Sequence, residues 1–305
     1  MSIVQAKTGK LPRAAYRCSD WFAAEQERLF ARSWLFVGLA DDAPPEGGYW
    51  AVEAGPCPLV ISRSGGVLRA VHNRCRHRGA KLVEGRGEAK LITCFYHRWC
   101  YQLDGRLRGI PQAERFPDEA RALGLAPAQI SQWNGMIFVN ASMASEPLES
   151  WLGAAGARLS PWPVADLKLL QRTSHTVRAN WKLFLENHID GYHLAHLHKD
   201  SVKGLDHAQQ EWRAVGRHWL FFEPTVTPGA RPDYEPRGFP AIALRAPVPL
   251  GSTVWKLFPT FAGAAGDTFF AILNVIPVSP RETRVEKIVL TAPVSAATLA
   301  LAGAR

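Results

Sequence analysis

The sequence predicts an α+β protein of two domains, a compact all-β domain followed by one that mixes strands with a helix. Three observations predict it. Between Gly47 and about Asn140, seven short β-type runs (YWAVEA, PLVISR, SGG, VLRAVHN, LITCFYH, YQLDGRL and GMIFVNA) alternate with glycine turns. The stretch ASMASEPLESWLGAAGARLSPWP, rich in small residues and proline, reads as a linker that includes a short helix. Beyond it, strand-like LLQRTSHTVRAN leads into NWKLFLENHIDGYHLAHLH, and the strand-like runs HWLFFEP, TVWKLFPTF, TFFAILNVIPV and TRVEKIVLTA follow.

Each element has a local reason. The segment SDWFAAEQERLFARSWLFVG offers a Ser19-Asp20 cap and apolar Trp21, Phe22, Leu29 and Phe30, as an amphipathic helix needs, before turning strand-like at Trp34 to Val37. In the second domain Trp181, Leu183, Phe184, Leu185 and Ile189 suit a partly buried helix. The expected organisation is an N-terminal helical segment over residues 1–40, an all-β domain over 41–145 and the mixed domain over 146–305.

Composition narrows the function. With 47% hydrophobic and 21% charged residues, the chain is an ordinary globular one. The net charge of +9 is scattered apart from Arg74 to Arg78, and no recognition helix or aromatic-basic platform accompanies it, which argues against nucleic acid. An acidic electron-donor protein fits that charge. The N-terminus has no apolar leader and no run of eighteen apolar residues occurs, so a cytoplasmic protein without a membrane span is expected. Five cysteines at uneven spacing do not make a disulfide framework and point to metal.

The first metal pattern is Cys75-x-His77, sixteen residues, then Cys94-x-x-His97. Zinc sites usually open with two cysteines close together, whereas here each loop supplies one Cys and one His. A Rieske [2Fe-2S] cluster takes two thiolates on one iron and two imidazoles on the other, and two facing Cys-His loops supply that set. The competing reading is two buried cysteines and two unrelated histidines. His72, close by, reads as a strand residue.

The second pattern packs His188, His193, His196 and His198 with Glu186 and Asp190 into thirteen positions. On a straight helix, Glu186, Asp190 and His193 fall within about 60° of one another and form one polar stripe. His193 and His198 would stand about 140° apart, so they share a metal only if the helix bends or ends, and His193 with His196 is the easier pair. Spacing leaves the pair open, along with an exposed His-rich helix that binds nothing.

The segments NRCRHRGAKLVEG and CFYHRWCYQLDGRL resemble the two cluster loops of Rieske non-heme iron oxygenase large (alpha) subunits, of the ring-hydroxylating dioxygenase type. The resemblance runs from about Leu11 to Leu290. Respiratory Rieske proteins carry an extra cysteine pair where this chain has Ala80 and Tyr96. Two positions depart from the oxygenase pattern, with Phe95 for the usual Pro and Arg98 for the usual Gly. The mononuclear iron motif of that family, Glu-Asn-x-x-Asp-x-Tyr-His-x4-His, is matched by Glu186, Asn187, Asp190, Tyr192, His193 and His198.

The resemblance implies a Rieske domain followed by an α+β helix-grip domain. It implies cluster ligands Cys75, His77, Cys94 and His97, Fe(II) ligands His193 and His198, and Asp190 as a carboxylate bridging to a cluster histidine of a neighbouring subunit. His188 and His196 are then packing or supporting residues. It further implies electrons from NAD(P)H through a separate flavin reductase or ferredoxin, a homotrimer with or without a small β subunit, and dioxygen with a small-molecule substrate. Family members acting on quaternary ammonium compounds often have Glu where Asp190 stands, so an aromatic substrate is expected.

The family usually supplies a third iron ligand, an Asp on a long helix well past the second histidine. Only 107 residues follow His198, and after Asp267 the acids are Glu282 and Glu286 in a strand-like run. The tail TAPVSAATLALAGAR reads as the entrance to a helix cut short. The expectation is a sequence truncated before that ligand, and the alternative function is a Rieske electron-transfer protein or an inactive homologue.

Overall fold

The computed structural model describes residues 10–198, 200–227 and 238–295. Contacts divide the chain into two compact units, Gln26–Trp151, and Met1–Glu25 together with Leu152–Arg305.

The unit Gln26–Trp151 is built on a seven-stranded sheet, in the order Leu35–Leu39, Met136–Asn140, Pro127–Trp133, Val67–His72, Cys57–Ser64, Gly48–Ala54 and Arg86–Glu88. All its pairings are antiparallel. Leu59, Val60, Ile61, Ile137, Phe138 and Val139 are fully buried, so these β-branched and aromatic runs form the core. A small sheet of Ile92–Thr93, Cys100–Tyr101 and Leu107–Gly109 stands apart. Its residues join Val60, Val71, Cys75, Cys94, Trp99 and Leu125 in a second buried cluster.

Several expectations need correction here. Only Ile92 and Thr93 of LITCFYH are strand, and the rest is a loop. Pro127–Trp133 was not expected as a strand. It pairs with Met136–Asn140 across Asn134 and Gly135, whose φ values of +49° and +78° make the two-residue hairpin turn that Asn-Gly favours. The linker segment does include the expected helix, Leu148–Leu159.

The helices are α1 (Ser19–Arg28), α2 (Asp118–Arg121), α3 (Leu148–Leu159), α4 (Trp181–Ile189) and α5 (Leu194–Leu197). In α3, Leu148, Trp151, Leu152, Ala155 and Leu159 are buried, and Gly153 (φ +48°, ψ −138°) breaks the helix. Glycine supplies that backbone at little steric cost, which explains why small residues disguise a packed element.

In the other unit seven antiparallel strands run in the order Lys168–Val177, Glu282–Thr291, Phe269–Ser279, Phe261–Ala265, Gly251–Leu257, His218–Pro224 and Glu211–Val215. Helix α4 lies on Gly251–Leu257, Phe269–Ser279 and His218–Pro224. Trp255, Phe270 and Ile272 are buried in this sheet. The expected tail helix falls largely on residues 296–305, outside the described residues.

Candidate metal centres

The two cluster loops are structural twins. In the first, Cys75 N donates to Ala80 O (2.8 Å) and Gly79 N to Cys75 O (2.9 Å). In the second, Cys94 N donates to Trp99 O (2.8 Å) and Arg98 N to Cys94 O (3.1 Å). The fifth residue of each turn is left-handed, with φ +71° at Gly79 and +60° at Arg98. A non-glycine residue holds that conformation at a cost.

These turns place the predicted donors as two pairs, Cys75 with Cys94 in one buried cluster and His77 against His97. Cys75 and Cys94 are buried free thiols, 4% and 1% exposed. The His77 and His97 rings meet at 4.5 Å. Trp99 stacks on His77 at 5.1 Å with planes 4° apart, and Tyr96 lies 3.8 Å from His97. His77 Nδ1 is buried without a hydrogen-bond partner. Buried polar atoms are normally satisfied, so an orphaned imidazole nitrogen against the second histidine fits a metal-ligating role. Burial, then His97 and Arg78, hold the His77 imidazolium below its usual pKa, favouring the neutral form that binds metal.

Two supporting residues were not found from sequence. Asn73, fully buried, donates to Val83 O (2.8 Å) and accepts from Leu82 N (3.0 Å) and Val83 N (3.1 Å), closing the first loop. The Tyr101 hydroxyl lies 3.3 Å from Cys75 Sγ and accepts from Arg76 N at 3.1 Å. Burial and the neighbouring thiol push its phenol pKa up, so it stays a neutral donor. His72 bonds Ala141 O through Nε2 at 3.1 Å, as a strand residue does.

The second site corrects the single-helix expectation. Asn180 caps α4 by accepting from Lys182 N (3.1 Å), but the helix ends at Ile189. Asp190 leaves the helix (φ −82°, ψ +92°), and its Oδ1 accepts from Tyr192 N at 3.0 Å. This side-chain turn competes with helix continuation, so Asp190 and His193 do not share a helical stripe.

His193 and His198 instead flank the single turn of α5, with ring centroids 5.2 Å apart. Asp190 Oδ2 lies 3.3 Å from His193 Nδ1, and Ser201 Oγ lies 3.0 Å from His198 Nδ1. Both Nδ1 atoms are engaged, which leaves each Nε2 available. His188 turns inward to Gly263 O (3.2 Å), and burial lowers its pKa. His196 is exposed beside Tyr192.

The helix carrying this motif is fastened from the N-terminal segment. Lys182 and Glu25, 7% and 11% exposed, pair at 2.6 Å, and Trp181 Nε1 donates to Glu25 at 3.0 Å. The Tyr16 hydroxyl donates to Glu186 at 2.7 Å, and burial followed by that bond raises its pKa to about 12. Long-range pairs like these leave no local sequence signal.

Among the described residues, no three His, Cys, Asp or Glu side chains gather around one ion. Two separate pairs suit a binuclear cluster, and the second site shows two histidines with a carboxylate behind one of them. A cavity of about 350 Å³ lined by Arg158, Trp162, Leu220, Phe222 and Val248 includes neither His193 nor His198.

Comparison with known proteins agrees with this layout. Residues 33–128 match the Rieske [2Fe-2S] domain, and residues 164–304 match the ring hydroxylating alpha subunit (catalytic domain). The chain is 34% identical over 201 residues to the glycine betaine monooxygenase oxygenase subunit of Chromohalobacter salexigens, spanning 64% of this chain and 44% of that protein. It is 33% identical over 219 residues to the anthranilate 1,2-dioxygenase large subunit of Acinetobacter baylyi (68% and 46%). The carnitine monooxygenase oxygenase subunit of Escherichia coli is 31% identical over 217 residues (68% and 57%). The chain thus spans about half the length of the curated relatives it matches.

Solved structures share the fold. A quaternary ammonium Rieske monooxygenase superposes with a TM-score of 0.76 at 23% identity, covering 95% of this chain and 78% of that one. Naphthalene 1,2-dioxygenase from a Rhodococcus species gives 0.76 at 22% identity, covering 95% and 75%.

Proposed function

We propose that this chain, which belongs to the family of Rieske oxygenase alpha subunits, is the catalytic subunit of an oxygenase that hydroxylates a small organic substrate with dioxygen and reductase-derived electrons. The observation that carries the reading is the pair of twin loops, with buried Cys75 and Cys94 and the His77 and His97 rings 4.5 Å apart. In this family the cluster supplies single electrons and the mononuclear iron supplies dioxygen activation.

The chain's own residues divide the work. Cys75, His77, Cys94 and His97 hold the cluster, and Trp99 stacked on His77 keeps that ring in plane. His193 and His198 hold the iron, and Asp190 orients His193 through Nδ1. The Asp190 side chain is 51% exposed, which leaves it accessible to a cluster histidine of a second subunit in the homotrimer that the family resemblance implies. By the family resemblance, in which members acting on quaternary ammonium compounds often have Glu at this place, Asp190 favours an aromatic substrate. No helix among the described residues is long and apolar enough to cross a membrane.

Iron and sulfide analysis with electron paramagnetic resonance tests this reading. About three irons per chain and a Rieske signal on reduction are expected. His77→Ala should abolish that signal in a folded protein, and an unchanged spectrum would overturn the cluster assignment. Oxygen-consumption assays on anthranilate, glycine betaine and carnitine then separate an aromatic substrate from a quaternary ammonium one.

A second reading, a Rieske electron carrier, is favoured by one observation: among the described residues no third donor joins His193 and His198. About two irons per chain, with the Rieske signal intact, would select it.

A further inference from the structure

We propose that Gln210 and Glu223 form a clamp that fixes the turn between α4 and α5, and through it the relative placement of His193 and His198. The inference rests on the reading of those two histidines as a metal pair.

Glu223 lies on the strand His218–Pro224 and is 1% exposed. A carboxylate so deep needs partners, because its desolvation is otherwise uncompensated. Among the described residues it has two: His207 Nδ1 at 2.8 Å and Gln210 Nε2 at 2.5 Å. The second hydrogen of the same amide nitrogen reaches Gly191 O at 3.0 Å. Gly191 O also accepts from Leu194 N (3.1 Å), one of the bonds that starts α5. The buried carboxylate therefore aims Gln210, and Gln210 grips the carbonyl midway between Asp190 and His193.

The fit is close on every side. A Cβ built at Gly191 would lie 2.6 Å from Gln210 Oε1 and 2.9 Å from Trp212. Only a glycine lets the clamp approach the turn. The loop that carries Gln210 and His207 is itself tied down. Asp206 N donates to Pro224 O (2.8 Å), Leu205 bridges Thr225, and Asp206 accepts from Ala208 N (3.0 Å) and Gln209 Nε2 (2.9 Å). The turn's own bonds, such as Tyr192 N to Asp190 Oδ1 and Leu197 N to His193 O, are local, and α5 is four residues long with Tyr192 and Leu197 exposed. The donor from Gln210 ties this backbone to a segment 19 residues away. Gln210 and Glu223 are thus positioning residues, acting through Gly191 rather than on a bound molecule.

The test uses the full chain, Co(II) titrated into the mononuclear site by its visible spectrum, and the Rieske signal of the same sample. The parent chain should bind Co(II) in a way that His193→Ala abolishes. Gln210→Met, similar in length but without donors, should weaken Co(II) binding about tenfold or more while leaving the Rieske signal unchanged. The exchange Gln210→Glu with Glu223→Gln restores the bond between the two side chains and the total charge, but it cannot donate to Gly191 O. The clamp requires Co(II) binding to stay weak in that double variant. Recovery to the parent value there, or an unaltered affinity in Gln210→Met, would overturn the clamp while the metal site stands. A parent chain without His193-dependent Co(II) binding would overturn the site itself and the clamp with it.

Discussion

Arg98 occupies, with φ +60°, the position that Gly79 fills with φ +71° in the twin loop. A side chain in that region costs about 1 kcal/mol, so Arg98→Gly should stabilise the cluster-loaded protein by that order. Thermal melts followed at the cluster absorbance would show a higher midpoint, and a lower one would mean that Arg98 makes contacts worth more than the strain. At this scale the sequence was readable where a role is local. Cys75 with His77, and Cys94 with His97, announce themselves by spacing, because each pair sits in one tight turn. Asn73 does not, because its three bonds to Leu82 and Val83 exist only once the chain has looped back. Gln210 and Glu223 are ordinary polar residues until folding buries them.

Helix α4 shows what periodicity can and cannot reveal. Trp181 and Leu185 do face inward, as a 3.6-residue repeat predicts. The break at Asp190 follows from a side-chain turn, to which a hydrophobic pattern is blind. The strand Glu211–Val215 has no counterpart among the expected runs: its alternation, Glu-Trp-Arg-Ala-Val, spans only five residues, and nearly all of them stay exposed. By contrast, Asn134-Gly135 was a visible hairpin signal for Pro127–Trp133. The fastening of α4 through Tyr16 also gives a pH dependence. The phenol pKa is raised in the folded state from 10.0 to about 12, so its stabilisation is full below pH 10 and is lost as pH climbs through about 12. Melts of the parent and Tyr16→Phe should therefore differ by a constant amount up to pH 10 and converge above it. A gap that persists at pH 12 would contradict the Tyr16–Glu186 bond.

At the scale of the molecule, the two predicted folding classes, all-β and then mixed, were legible because turn signals and the helical motif fall in different halves of the chain. The strand order was not, since pairing between distant strands is set by packing rather than by local pattern. The order places Lys168–Val177 outermost in its sheet, ten residues long and exposed along nearly its whole length. Such a border presents unpaired backbone donors and acceptors that another chain could adopt as a template. Here Lys168, Arg172 and His175 interrupt it with basic side chains. Replacing Lys168 and Arg172 together by Val should increase light scattering on warming while leaving the Rieske signal untouched; unchanged scattering would show that the border needs no such guard. Strand-on-strand growth at this rim is thus held off by a few cations, and the protein's colloidal behaviour can be altered without altering its chemistry.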